Sequence, residues 1–264
     1  MKIIDFHTHI YPNKIAEKAT NTVADFYGIT PACIGSTEEL LREGKAAGIC
    51  EFVLLPVAAK AEQVRHINEF TLQETAAHPE FHGFGTLHPD CEDLLEETAF
   101  IIRSGLKGIK FHPDTQRFDT DDRRLFEVFD AIQGKLPVLV HCGDKRFDFS
   151  HPRRLKNVMD NFPRLQLIAA HLGGWSMFEE AFHLLKHTDC FLDISSCMMF
   201  LPPKQIVRYI RGYGADRILF GTDFPLWSPQ NEVRSFLNLP LRAEELEKIG
   251  YQNARHILEP DFTS

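Results

Sequence analysis

The sequence predicts an α/β protein, a (β/α)8 barrel. Three observations carry that reading. Eight apolar segments alternate with helical ones at a period of about 25–35 residues, and the total of 264 matches the length of roughly 250 that such a barrel needs. The segments carry Ile, Val, Leu and Phe on both faces, as a parallel sheet covered by helices requires. Reactive side chains recur at the ends of successive segments, which a barrel brings to one face. A doubly wound open sheet is disfavoured, because no GxGxxG follows the first strand and the reactive residues do not gather at one switch point. No low-complexity linker divides the chain, so residues 1–264 read as a single domain.

The first strand is IIDFHTHI, residues 3–10. Alternation places Asp5, His7 and His9 on one face and Ile4, Phe6 and Thr8 on the other. The stretch YPNKIAEKATNTVADFYG follows. It is long for a loop, reads as partly helical, and is positioned to wall or cover whatever the strand ends build. Ser36 and Glu39 form a capping-box signature for a helix to about Ala47, stopped by Gly48, and residues 49–56 are the second strand. Lys60 to His78 has helical periodicity, and 81–87 is the third strand. Asp90 can cap a helix ending near Ser104, with Gly105 as its punctuation. The fourth strand is 106–112, then 121–133 is helical and 136–141 is the fifth strand. Ser150 can cap a helix to Asn161 before the sixth strand, 165–171. Ser176 and Glu179 form a second capping box, for a helix to His187. Residues 190–195 are the seventh strand, 203–212 a helix, and 216–223 the eighth strand. Helices at about 230–239 and 242–257, separated by Pro240, close the chain.

Composition narrows the function. The chain is 44% hydrophobic and 25% charged, without a run long enough to span a membrane. A net charge of −8 without a Lys/Arg cluster argues against nucleic acid as the main partner. The six cysteines, Cys33, Cys50, Cys91, Cys142, Cys190 and Cys197, show no CxxC and no disulfide-like framework, which suits a reducing compartment. No basic region precedes an apolar core at the N-terminus, and a cytoplasmic location is expected.

The histidines are more informative. His7 and His9 are two strand positions apart and can close on one metal ion. His88 follows the third strand, Lys110 and His112 lie on the fourth, and His141 and His171 end the fifth and sixth. Asp193 lies on the seventh strand and Asp223 ends the eighth. His88 or His112 alone is as well explained by strand-end hydrogen bonding. His7, His9, His141, His171 and Asp223 together point to a metal-centred site, since imidazoles with a carboxylate suit Zn²⁺ or a similar divalent ion with water completing the shell. Tyr11, Lys110, His112, Asp144, Arg146, Trp175 and Trp227 are expected near its mouth. Of these, Lys110, His112 and Arg146 suit an anionic group on a small-molecule substrate.

HTHI at 7–10, GIKFHP at 108–113, HCGD at 141–144, AHLGG at 170–174, GTDFP at 221–225 and YQNARHIL at 251–258 together resemble the amidohydrolase superfamily. They are most similar to its amidohydrolase-2 branch, which includes hydrolases, lactonases and non-oxidative decarboxylases. The resemblance implies one divalent metal, Zn²⁺ or Mn²⁺, on His7, His9, His141 and Asp223, with His171 as base, acid or electrophile. It also raises a binuclear alternative, in which a carboxylated Lys110 bridges two metals and His141 and His171 bind the second. Metal-dependent deoxyribonucleases are disfavoured, because GIKFHP lacks their strand-four glutamate. The expected reaction is hydrolysis of an amide or lactone bond by a metal-activated water, with Asp223 accepting the proton. The alternative is decarboxylation of a hydroxylated aromatic or unsaturated acid, disfavoured on length: the branch's decarboxylases usually have longer loops to seal an aromatic pocket. Partners other than a small-molecule substrate are not expected, and a homodimer is compatible with this reading.

Overall fold

The computed structural model describes residues 1–259. Its strands are Ile4–Thr8, Glu51–Leu54, Phe81–Gly83 continued by Gly85–Thr86, Ile109–Phe111, Val138–Val140, Leu167–Ala169, Phe191–Asp193 and Ile218–Leu219. Every neighbouring pair is parallel. The last strand returns to the first, where Phe6 N donates to Phe220 O at 2.9 Å and Thr8 bridges Phe224. The result is a closed barrel with helices outside, as the alternation of segments predicts. The third strand breaks at Phe84, whose N–H donates to Leu54 O at 3.0 Å. Its ring packs edge-on against Phe6, 5.9 Å between centroids.

The apolar residues divide into two layers. Ile4, Phe6, Val53, Leu55, Phe84, Leu139, Ile168 and Leu219 form one cluster, joined by Ala254, Ile257 and Leu258 of the last helix, Asn253–Leu258. The larger cluster lies between strands and helices, with Phe52, Leu54, Phe111, Val138, Val140 and Leu167 among its members. Burial on both faces explains why the strands read as continuous apolar runs. Among the described residues, no helix is long and apolar enough to cross a membrane.

Several local expectations are corrected. Asp5 does not share the face of His7 and His9, because the register with the second strand slips between Asp5 and Thr8. Asp5 instead accepts from Thr222, at 2.9 Å from N and 2.6 Å from Oγ1. Such a slip re-aims a side chain next to a site. Ser36 does cap Thr37–Ala46, accepting from Glu39 N at 3.2 Å. Neither Ser150 nor Ser176 caps its helix: those helices begin at Pro152 and Phe178, after His151 and Met177. Ser150 Oγ accepts from Gly143 N at 3.1 Å and donates to Asp114 at 2.6 Å. Ser176 Oγ accepts from Lys145 N at 3.1 Å and donates to Gly143 O at 3.2 Å. Both hydroxyls knit loops at the strand ends, where more polar partners compete for them than at a helix start. Asp90 likewise pairs with Arg124, and the next helix starts at Leu94.

Candidate metal centre

The first strand delivers His7 and His9 to one end of the barrel, and backbone bonds to the last strand fix them there. Asp223 N donates to His7 O at 2.8 Å, and His9 N to Phe224 O at 2.8 Å. His7 Nδ1 lies 2.8 Å from Asp193 Oδ2, and His9 Nδ1 lies 2.6 Å from Leu55 O. A carbonyl or carboxylate can only accept, so both rings carry their proton on Nδ1 and turn an Nε2 lone pair inward. Those lone pairs converge on Asp223 Oδ1, 3.6 Å from His7 Nε2 and 3.3 Å from His9 Nε2. His7, His9 and Asp223 therefore fit a divalent cation.

The rest of the site is a hydrogen-bonded chain of imidazoles. His171 Nδ1 lies 3.0 Å from Ser195 O and 2.9 Å from Ser195 Oγ. Its proton thus sits on Nδ1, and Nε2 accepts from His141 Nδ1 at 3.0 Å. His141 consequently presents Nε2 as a lone pair. The structure groups His141 with His112 and Asp114 rather than with His7, His9 and Asp223. His141 Nε2 lies 3.6 Å from Asp114 Oδ2, and the His112 and His141 rings stack at 4.0 Å. His171 groups with His7 and Asp193.

Asp193 holds this arrangement together. Oδ1 accepts from His171 N at 3.0 Å, Ser195 N at 3.0 Å and Ser195 Oγ at 2.5 Å, while Oδ2 faces His7. Burial alone would raise its pKa, but the attraction of the His7 ring and the hydrogen bonds from His7 and Ser195 keep it well below the carboxylate range. Asp223 behaves alike: burial opposes ionisation, and the attraction of His7, the His9 hydrogen bond and His171 outweigh it. His7 is lowered to about 3, first by burial and then by Lys110. Burial also drives His112 and His141 well below the ordinary imidazole value. Neutral rings and ionised carboxylates are the protonation states a cation requires. Backbone strain marks the same spot: His171, Leu172, Ser196 and Asp223, all just past strand ends, have φ between 53° and 60°. Non-glycine residues rarely adopt this region, and it gathers at functional sites.

The other expected residues surround this centre. Lys110 is fully buried, its Nζ 3.4 Å from His7 Nε2, and burial lowers its pKa to about 8. Arg146 spends its donors within the protein, with Nε and Nη2 on Asp144 at 3.0 and 2.6 Å and Nη1 on Phe26 O at 2.7 Å. Trp175 packs edge-on against Tyr27 at 5.1 Å. Tyr11 N donates to Gly35 O at 2.8 Å, and its hydroxyl pKa is raised by burial and by Asp223. Trp227 Nε1 donates to Ser196 Oγ at 2.6 Å, which donates to Asp223 Oδ2 at 2.5 Å. His88 is used structurally, between Gln116 O and Asp90 N, at 3.2 Å from each.

Sequence reasoning did not single out Tyr27, Asp114, Ser195 or Ser196. Tyr27 ends the helix Ala16–Tyr27, and its hydroxyl lies 2.7 Å from His112 Nε2. The excursion after His9, expected to cover the site, is this helix. Its DFYG ending, an aromatic pair before a helix-stopping glycine, was the available signal.

Comparison with known proteins agrees with this architecture. No curated protein matches the chain. Among solved structures, the uncharacterized TIM-barrel protein Bb4693 from Bordetella bronchiseptica is 22% identical, with a TM-score of 0.80 and 98% of each chain covered. A dihydroxybenzoic acid decarboxylase from Polaromonas sp. JS666, solved with bound manganese, is 18% identical; its TM-score is 0.76, with 97% of this chain and 96% of that one covered. The 2,6-dihydroxybenzoate decarboxylase from Rhizobium is 19% identical, with a TM-score of 0.75 and 98% of each chain covered. At such identities these likenesses establish the fold. The family model described as Amidohydrolase matches residues 4–259, from the first strand through the last helix, and the chain belongs to that family, in its amidohydrolase-2 branch.

Proposed function

We propose that the chain is a metal-dependent carboxy-lyase that removes CO₂ from a small planar acid, a hydroxylated aromatic or unsaturated carboxylate. The observation that carries this reading is an arc of aromatic rings tied to the His/Asp centre at two points, Tyr27 at His112 and Trp227 through Ser196 to Asp223. Phe26 meets Tyr27 at 4.9 Å, Tyr27 meets Trp175 at 5.1 Å, Trp175 meets Phe200 at 5.6 Å, and Phe200 meets Trp227 at 6.1 Å. Such rings favour a flat, π-faced substrate. Compact as the barrel is, the helix Ala16–Tyr27 brings the Tyr27 ring and hydroxyl against His112 beside the centre. Two of the similar structures carry decarboxylase names, one with manganese, in keeping with this reading.

His7, His9 and Asp223, with His141 as the fourth donor the resemblance implies, would hold a divalent cation, which would supply Lewis acidity. Asp223, ionised at rest, takes the proton of the substrate hydroxyl and returns it to the ring carbon. The bond from that carbon to the carboxyl group then breaks and CO₂ leaves. Hydrolysis of an amide or lactone bond is the second reading. It is favoured by the fixed Asp223 carboxylate, whose Oδ2 is anchored by Ser196 while Oδ1 stays near two lone pairs, a good position from which to take a proton from water.

The test incubates metal-free, Zn²⁺-loaded and Mn²⁺-loaded protein with 2-hydroxybenzoates, lactones and N-acyl compounds, following CO₂ and acid release together. Metal-dependent CO₂ release from a hydroxybenzoate is the expected result. Turnover confined to lactones or N-acyl compounds without CO₂ overturns the lyase reading in favour of the hydrolase.

A further inference from the structure

His112 is buried, and its Nδ1 has no hydrogen-bond partner among the described residues. Its Nε2 lies 2.7 Å from the Tyr27 hydroxyl. A neutral imidazole carries one N–H, and a buried N–H without an acceptor is rarer than a buried lone pair without a donor. The proton therefore sits on Nε2 and is donated to the Tyr27 oxygen. The Tyr27 hydrogen must then be directed elsewhere. His141 Nε2 is an acceptor at 3.5 Å, the long limit of a hydrogen bond. That lone pair is also the one implied for the cation, and once it is engaged the Tyr27 O–H has no acceptor among the described residues.

We propose that Tyr27 and His112 form an oxygen-binding subsite on the cover of the active site. The chain runs from His112 Nε2–H to the Tyr27 oxygen, and from Tyr27 O–H to an anionic oxygen of the substrate carboxylate. Arg146 positions it. Its guanidinium binds Asp144 through Nε and Nη2, donates Nη1 to Phe26 O in the last turn of the cover helix, and stacks over Phe26 and Tyr27 at 4.8 and 5.5 Å. Gly28, at φ 66°, stops the helix immediately after Tyr27. The loop that follows His141 thus reaches across and holds the end of the helix, and Arg146 acts through Tyr27 rather than on the ligand. The identity of the bound oxygen rests on the carboxy-lyase reading; the existence of the subsite does not.

The experiment compares Mn²⁺-loaded wild type with Tyr27→Phe, Arg146→Gln and the double variant. Metal content and melting temperature are measured first, then binding of 2,6-dihydroxybenzoate by calorimetry and kcat/KM on any compound turned over. Equal metal content is expected, with Tyr27→Phe weakening acid binding roughly ten- to a hundredfold, the range for a hydrogen bond to a charged group. Arg146→Gln should weaken binding comparably yet add little in the Tyr27→Phe background, a non-additivity that general loosening of the fold does not produce. Unchanged binding by Tyr27→Phe overturns the subsite, and losses that simply multiply overturn the positioning role. If wild type ignores the acid but opens a lactone, the carboxy-lyase reading falls, and the same variants judge the subsite on lactone kcat/KM. If wild type neither binds the acid nor turns over any compound, both are overturned.

Discussion

Asp193 shows how one carboxylate can decide what three neighbours present. Its two oxygens take four donors: His7 Nδ1, His171 N, Ser195 N and Ser195 Oγ. An amide has one oxygen, so Asp193→Asn sets an NH₂ group against His7 Nδ1–H or gives up the bonds to the loop. His7 then moves its proton to Nε2, the atom that should ligate. Metal titration should show affinity falling roughly ten- to a hundredfold, as for other outer partners of a ligating histidine, while the fold persists. Wild-type affinity in this variant would remove Asp193 from the ligand-orienting role. The convergence of His7, His9 and Asp223 was legible in the sequence because each stands near a strand end, a place that chain order reveals, whereas His141 and His171, also past strand ends, fall in other groups. Ser195, Ser196 and Asp114 were not legible, since an ordinary loop hydroxyl or carboxyl acquires meaning only from neighbours distant in sequence.

The loops after the fifth and sixth strands touch through their backbones. Gly143, at φ 87°, leaves no room for a side chain: a Cβ there would lie 2.3 Å from Gly174 Cα and 2.7 Å from its carbonyl carbon. Gly143→Ala combines a strained φ with a backbone clash that no rotamer relieves. Urea denaturation should record a loss of about 2–4 kcal/mol, and a loss under about 0.5 kcal/mol, the range of ordinary surface changes, would show that these loops can part freely. At this scale strand order and the main helices were readable, whereas helix starts and the short helix Pro113–Gln116 were not. A capping motif is a local signal, and the hydroxyls of Ser150 and Ser176 are claimed instead by Asp114 and Gly143, each on a different loop. The break at Phe84 was invisible for a similar reason, since FHGFGTL reads as one apolar run until the ring meets Phe6.

Taken whole, the protein carries two opposed sets of buried acids. Asp193 and Asp223 are depressed below their ordinary values. They bind protons less readily when folded, so their contribution is complete above about pH 4 and is lost as pH falls further. Glu232 is raised to about 8, by burial and then by the charges of Asp223 and Asp5, and its Oε2 has no partner among the described residues. Asp5 and Asp114 are raised to about 7, chiefly by burial. A raised acid holds its proton more tightly when folded, so stability falls as pH rises from the unfolded value near 4.5 to the folded one near 8, then levels. Glu232→Gln removes one such group. Thermal melts of metal-free protein should show the variant more stable than wild type at pH 8.5 and nearly equal to it at pH 4.5. A difference of the same size at both would place its origin in packing instead of titration.

The seam between the first and last strands has a bearing on synthesis. A growing chain presents His7 and His9 before Asp223, which follows the eighth strand. Until Phe220 O meets Phe6 N, the carboxylate has no fixed place beside the imidazoles. A cation offered before the seam closes would find two loose histidines, whereas the closed seam would hold it between residues of the first and last strands. Metal retention is therefore expected to report whether the seam between Ile4–Thr8 and Ile218–Leu219 has closed.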